Sequence, residues 1–95
     1  MAHCPYENLA DLESVLEAIR GWPGIKERGP GVFYLKSTPF LHFHEKDGAR
    51  WADARHGKDW GSRIDIPFKT TKAMRDKFLR EIERRYKATG KPRQS

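Results

Sequence analysis

The sequence has few of the features that mark secreted, membrane-bound or multidomain proteins. Cys4 is the single cysteine among 95 residues, which excludes an internal disulfide and a multi-thiolate metal site. No apolar run approaches the roughly 18 residues that a membrane span needs, and no signal peptide is recognisable. Disulfides are typical of oxidising compartments, and this chain cannot form one internally, so we predict a cytoplasmic protein. Because no apolar run is long enough to span a bilayer, we also predict no membrane contact.

The composition instead favours one small folded domain. Hydrophobic residues make up 37% of the chain and aromatic residues 12%, which is too apolar for a disordered protein. The length is close to the roughly 100–150 residues of a single core. We predict one domain over residues 1–90, followed by a disordered basic tail over residues 91–95.

Charge is distributed unevenly along the chain. Residues 1–48 carry five basic and seven acidic side chains, whereas residues 49–95 carry fourteen basic and six acidic ones. A basic half can attract phosphate chains or an acidic partner. A solvated helix with basic residues toward its C-terminus explains the same numbers, and the sequence leaves both interpretations open.

Hydrophobic periodicity predicts a helix near each end of the chain. The first helix starts at Asn8, its cap, and ends at Gly21; its apolar stripe consists of Leu9, Leu12, Val15, Leu16 and Ile19. The second starts after Thr70 or Thr71 and ends near Gly90, with the stripe Met74, Phe78, Leu79, Ile82 and Tyr86.

Between the helices, β-forming residues and turn signals alternate. We predict strands at Ile25–Arg28, Val32–Lys36, Phe40–Lys46, Ala49–Arg55 and Arg63–Phe68, with a loop over His56–Ser62. This order of elements indicates an α+β fold: an antiparallel sheet of four to five strands, with the N-terminal and C-terminal helices packed on one face.

The Asp47-Gly48 pair is typical of a type I′ hairpin turn and fixes a register. In that register Phe43 lies opposite Ala52, His42 opposite Asp53, and Phe40 opposite Arg55. Because side chains alternate along a strand, the face away from the helices becomes polar. Seven residues are predicted there as the ligand-binding surface: His42, His44, Trp51, Asp53, Arg55, Arg63 and Asp65.

This polar face admits several kinds of chemistry. A carboxylate beside His42 could support acid–base catalysis, but the sequence shows no matched nucleophile, and the catalytic residues stay unknown. His42 and His44 with Asp53, or with Asp65, could chelate zinc or iron. A His–Asp pair that merely satisfies two polar groups accounts for the same residues.

The aromatic and basic residues of the face suggest two kinds of partner. Trp51, Arg55 and Arg63 could stack bases, but acidic neighbours on the same face would repel phosphate. Tryptophan and arginine are also common anchors of protein interfaces, including homodimers.

The sequence therefore predicts a non-catalytic module that binds a small ligand or a protein partner and uses no cofactor. The alternative is a small metal-dependent or acid–base enzyme that uses the same residues. Nucleic-acid binding through the basic half comes third.

The run from Phe33 to Phe68 carries a resemblance. Its segments PFLHFHEKDG, WADAR and IDIPF, followed by RDKFLREIERRY, resemble a group of small bacterial domains of unknown function called luciferase-like or luciferase-family. The resemblance implies a bacterial source and marks His42, His44 and Asp53 as signature positions. It implies no light emission, because no flavin or luciferin motif is present. The layout also resembles small helix–sheet–helix domains of the YjbR type, as an analogy of fold.

Overall fold

The protein contains a six-stranded sheet, with one helical segment before it in the chain and one after it. The structure is a computed structural model that describes residues 4–90. A 3₁₀ helix (Tyr6–Leu12) runs directly into α1 (Glu13–Arg20), and α2 (Lys72–Gly90) follows the sheet. The strands are β1 (Ile25–Gly29), β2 (Val32–Leu35), β3 (Thr38–Lys46), β4 (Ala49–His56), β5 (Asp59–Trp60) and β6 (Ile64–Asp65). The predicted α+β fold is confirmed, and the predicted tail over residues 91–95 lies outside the described residues. Within residues 4–90 no helix is long and apolar enough to cross a bilayer.

The sheet is antiparallel throughout, in the order β1-β2-β3-β4, and the far edge of β4 pairs with two short strands. Trp60 of β5 pairs with Arg55, and Ile64 of β6 pairs with Ala52. The prediction of one continuous loop over His56–Ser62 is wrong, because Gly57 adopts a left-handed conformation (φ +80°) and turns the chain into a hairpin.

The register predicted from the turn is confirmed for Leu41–Lys46 against Ala49–Ala54. Asp47 and Gly48 both have positive φ, +51° and +80°, as a type I′ turn requires. His42 pairs with Asp53 and Phe43 with Ala52 along the β3–β4 ladder. One face of the hairpin thus packs against the helices, and the other carries His42, His44 and Asp53.

The core lies between the apolar face and the helices. Its fully buried side chains include Leu9, Leu12, Leu16, Ile19, Phe33, Leu41 and Ile82. Phe40 belongs to this core as well, so the expectation that it faces Arg55 on the open side is wrong. The β2–β3 ladder shifts register between Phe33 and Tyr34, whose partners are Leu41 and Pro39. Phe40 is thereby left between paired positions and turns toward the helices, where its ring meets the edge of Tyr86.

At the start of each helical segment, the structure shows whether the predicted capping residue acts as a cap. Asn8 is no cap: it lies within the 3₁₀ helix, and its Nδ2 donates to Glu45 Oε1 at 2.7 Å. At α2, Thr71 Oγ1 accepts the backbone N–H of Met74 at 3.2 Å, which identifies Thr71 as the cap. Met74 was predicted in the buried stripe but is 41% exposed.

A buried arginine joins three parts of the fold. The Arg50 side chain is fully buried and donates to both oxygens of Asp11 at 2.7 and 3.0 Å. It also donates to the carbonyl oxygens of Asn8 and Pro67. Thr70 donates to Asp11 through its backbone and its hydroxyl. The hydrogen bonds from Arg50 hold the pKa of Asp11 far below its ordinary value, so this carboxylate stays charged.

Candidate functional site

Three predicted site residues come together on the open face of the sheet. His42 and His44 project from alternate positions of β3, and Asp53 projects from β4 directly opposite His42. All three are half-buried. Alternation along a strand places the two imidazoles on the same face, and the hairpin register brings in the carboxylate.

The distances within this group are short. One ligand atom from each residue lies within 4.8 Å of the others, and His44 Nε2 is 3.0 Å from Asp53 Oδ2. The carboxylate thus contacts the diagonal histidine, although its partner in the ladder is His42. Diagonal neighbours on adjacent strands are within reach of ring side chains. We call His42, His44 and Asp53 the triad.

Two tryptophans extend the triad into a row of rings. The ring of Trp60 is perpendicular to His42 at 4.9 Å between centroids, and His42 is edge-on to His44 at 4.5 Å. His44 stacks on Trp51 at 5.4 Å with an interplanar angle of 28°. We call these four residues the ring row.

An arginine closes each end of the ring row. The guanidinium of Arg55 lies 4.6 Å from the ring centre of Trp60, and that of Arg63 lies 4.3 Å from the ring centre of Trp51. Arg55 also donates to the carbonyl oxygens of Pro39 and Lys58, at 2.6 and 2.8 Å. Arg55 therefore fixes the β4–β5 hairpin, which presents Trp60 to the triad.

Asp65 lies apart from the triad. Its side chain is 76% exposed and contacts Arg63 at 3.0 Å. In the described part of the chain, the triad is the one group of three potential ligand residues whose atoms lie this close together, and Asp65 is not in it. Of the two carboxylates considered from the sequence, Asp53 is the one in position to complete a site.

Trp60 is the site residue that the sequence reasoning missed. The sequence predicts a loop over His56–Ser62, in which a tryptophan is expected to pack as a core or loop residue. The available signal was His56-Gly57-Lys58-Asp59, a short turn after a strand. Two paired residues are too short a run for strand periodicity to detect.

Cys4 is excluded from the triad by its position. It is fully buried, and its Sγ lies 3.5 Å from Glu45 Oε1. Burial and the neighbouring carboxylate raise the pKa of the Cys4 thiol to about 12, which keeps it protonated and a poor nucleophile.

Comparison with known proteins gave no match to a family model, to a curated protein or to a solved structure. The resemblance to luciferase-like domains and the YjbR analogy therefore stay predictions from the sequence.

Proposed function

We propose that this protein is a ligand-binding module whose ligand is a divalent transition-metal ion, with Zn²⁺ as the first candidate. The observation that supports the proposal is the convergence of two imidazoles and one carboxylate within 4.8 Å. Nitrogen ligands with one carboxylate suit zinc and ferrous iron, whereas the hard cations Mg²⁺ and Ca²⁺ prefer oxygen ligands.

The spacing fits zinc after small side-chain rotations. Zinc lies about 2.0–2.2 Å from histidine nitrogen and carboxylate oxygen, so two ligands of a tetrahedral ion lie about 3.3 Å apart. The His44–Asp53 contact of 3.0 Å is already close to that separation. Both histidines lie on one strand of a paired hairpin, which limits the backbone movement that binding requires.

Three protein ligands leave one position of a tetrahedral ion open to water or a further ligand. Arg55 and Arg63 stand at either end of the ring row, outside the triad. Binding by the triad should weaken as the pH is lowered, because protons compete for the imidazole nitrogens.

The proposal is tested by titrating metal-free protein with Co²⁺, followed by the visible absorption of the bound ion, and with Zn²⁺ by calorimetry. We expect one ion per chain. His42→Ala, His44→Ala and Asp53→Asn should each weaken binding at least tenfold, because each removes one of the three ligands or its negative charge.

His56 provides the matched control, since it is an exposed histidine at the end of β4, outside the triad. His56→Ala should bind both ions as the unaltered protein does. If His42→Ala and His44→Ala bind as tightly as His56→Ala, the triad is not the metal site. A protein that binds neither ion under these conditions also refutes the proposal.

One observation favours a second candidate, an acid–base enzyme. The 3.0 Å contact between His44 Nε2 and Asp53 Oδ2 is the arrangement that orients a histidine base. An assay of the metal-free protein distinguishes the two candidates. An acid–base enzyme would cleave a chromogenic ester such as p-nitrophenyl acetate without any ion, and His44→Ala would abolish this activity. A metal-binding module would not cleave the ester.

A further inference from the structure

A second surface, on the helix side of the molecule, is a groove of about 580 Å³ between α2 and β6. Its apolar lining is formed by Leu12, Ile64, Ile66, Pro67, Met74 and Phe78. Met74 is 41% exposed although it continues the stripe that packs α2 on the sheet. Met74 thus presents aliphatic surface that the fold does not cover, whereas Leu12, Ile66 and Phe78 are buried.

A row of cations lines the same groove. Lys77, Arg80 and Arg84 recur at spacings of three and four residues along α2, so they share one side of the helix. The row is about 10.5 Å long, from the 1.5 Å rise per residue. We call these three residues the basic row.

Most of the neighbouring charges on α2 are already paired. Lys72 contacts Asp76 and Lys87 contacts Glu83, while Glu81 contacts both Arg85 and Arg84 of the basic row. Within residues 4–90, Lys77 and Arg80 form no ion pair. Two of the three cations of the basic row thus have no acidic partner in the described part of the chain, although the carboxylates of Asp65 and Glu81 also line the groove.

From these features we infer that the groove binds an acidic amphipathic helix of a partner protein. Acidic side chains at spacings of three and four on such a helix would match the basic row, while its apolar side would cover Met74 and the groove floor. This is the helix-in-groove mode of recognition. It uses a surface distinct from the triad and goes beyond the proposed metal binding.

Other occupants fit the groove less well. A fatty acid has one carboxylate and needs one cation, whereas the basic row offers two, Lys77 and Arg80, that form no ion pair within residues 4–90. A nucleic acid would match the charges, but the floor is mainly aliphatic, and its one aromatic ring, Phe78, is only 6% exposed and cannot stack on bases. A merely solvated helix face would explain the basic row but not the exposed Met74 side chain beside it.

The probe is a fluorescein-labelled synthetic peptide of about 14 residues, with leucine on one side of its helix and glutamate on the other. Its binding to the full chain is followed by fluorescence anisotropy at two salt concentrations. We expect saturable binding that weakens with salt, because the ion pairs are exposed. Lys77→Glu/Arg80→Glu should weaken it about tenfold or more, since two attractions become repulsions.

The matched control is Lys26→Glu/Lys46→Glu, which changes the net charge equally at two exposed positions on the sheet. The control should bind the probe within about twofold of the unaltered protein. Equal losses in the two double variants would show only long-range attraction and would overturn the inference. Met74→Gln should also weaken binding, and circular dichroism checks that every variant is folded.

Two further outcomes would overturn the inference. One is absence of peptide binding by the unaltered protein. The other is preferential binding of a single-stranded RNA of similar length that depends on Lys77 and Arg80, which would assign the groove to nucleic acid. A peptide of the same composition in scrambled order should bind more weakly, because its charged and apolar sides no longer separate.

Discussion

Breaking the Arg50–Asp11 pair should cost this protein a large part of its stability. The Arg50 side chain is fully buried, and it donates two hydrogen bonds to Asp11 and one to each of two backbone carbonyl groups. Asp11→Ala would leave the guanidinium charge buried without its counter-ion. Loss of one member of a buried pair typically costs about 3–5 kcal/mol. A domain of this size has a total stability of roughly 5–14 kcal/mol.

The measurement is urea unfolding at neutral pH, followed by far-UV circular dichroism. We expect Asp11→Ala to lower the free energy of unfolding by about 3 kcal/mol or more. Arg50→Met/Asp11→Ala should lose less than the sum of the two single variants, because neither charge is then left buried alone. Asp76→Ala, which removes an exposed Lys72–Asp76 pair, should have a much smaller effect.

If Asp11→Ala lowers the free energy of unfolding no more than Asp76→Ala does, the Arg50–Asp11 pair is not a major source of stability. Additive effects of the single variants of Asp11 and Arg50 would also contradict the prediction, since the structure joins the two side chains directly. Additivity would mean that water or a rearranged neighbour replaces the lost charge.

Stability should also depend on low pH, on the glycine at position 31 and on the core side chain of Phe40. Folding lowers the pKa of Asp11, so the charged carboxylate contributes its full stability above the ordinary pKa of 3.8, and this contribution is lost as the pH falls below 3.8. Between pH 6 and pH 2, the urea midpoint should therefore fall less steeply for Asp11→Asn than for the unaltered protein. Gly31→Ala should cost about 1–3 kcal/mol more than Gly48→Ala in the same urea assay. Both glycines have positive φ, but a Cβ at Gly31 would lie 2.6 Å from Leu9 Cδ1, whereas one at Gly48 meets nothing within 4 Å. Phe40→Ala should lower the free energy of unfolding by about 3–5 kcal/mol, because this side chain is fully buried; a loss below 1 kcal/mol would contradict its place in the core.

The sequence was sufficient for those features that local patterns encode. The Asp47-Gly48 turn and strict alternation in the strands beside it determine the hairpin register. The same two facts place His42, His44 and Asp53 on one face. Local signals predict this much because a slip of one residue would expose every apolar side chain of the hairpin.

Features that depend on contacts between distant segments were not predictable in the same way. The register shift that buries Phe40 arises between β2 and β3, and Asn8 is drawn to Glu45 rather than capping a helix. The burial of Arg50 requires Asp11, which is 39 residues away. Within the site, the register predicts the ladder partner of Asp53, but side-chain geometry brings its carboxylate to His44.

The ring row also gives the molecule an intrinsic optical reporter. Trp51 stacks on His44 and Trp60 abuts His42, so each imidazole has an indole fluorophore as its immediate neighbour. Trp22, the third indole, packs against Tyr86 and lies outside the ring row. A proton or a paramagnetic ion arriving at the imidazoles would quench emission from two of three tryptophans, and the remaining signal would serve as an internal reference. Occupancy of this face can thus be followed in the unlabelled protein.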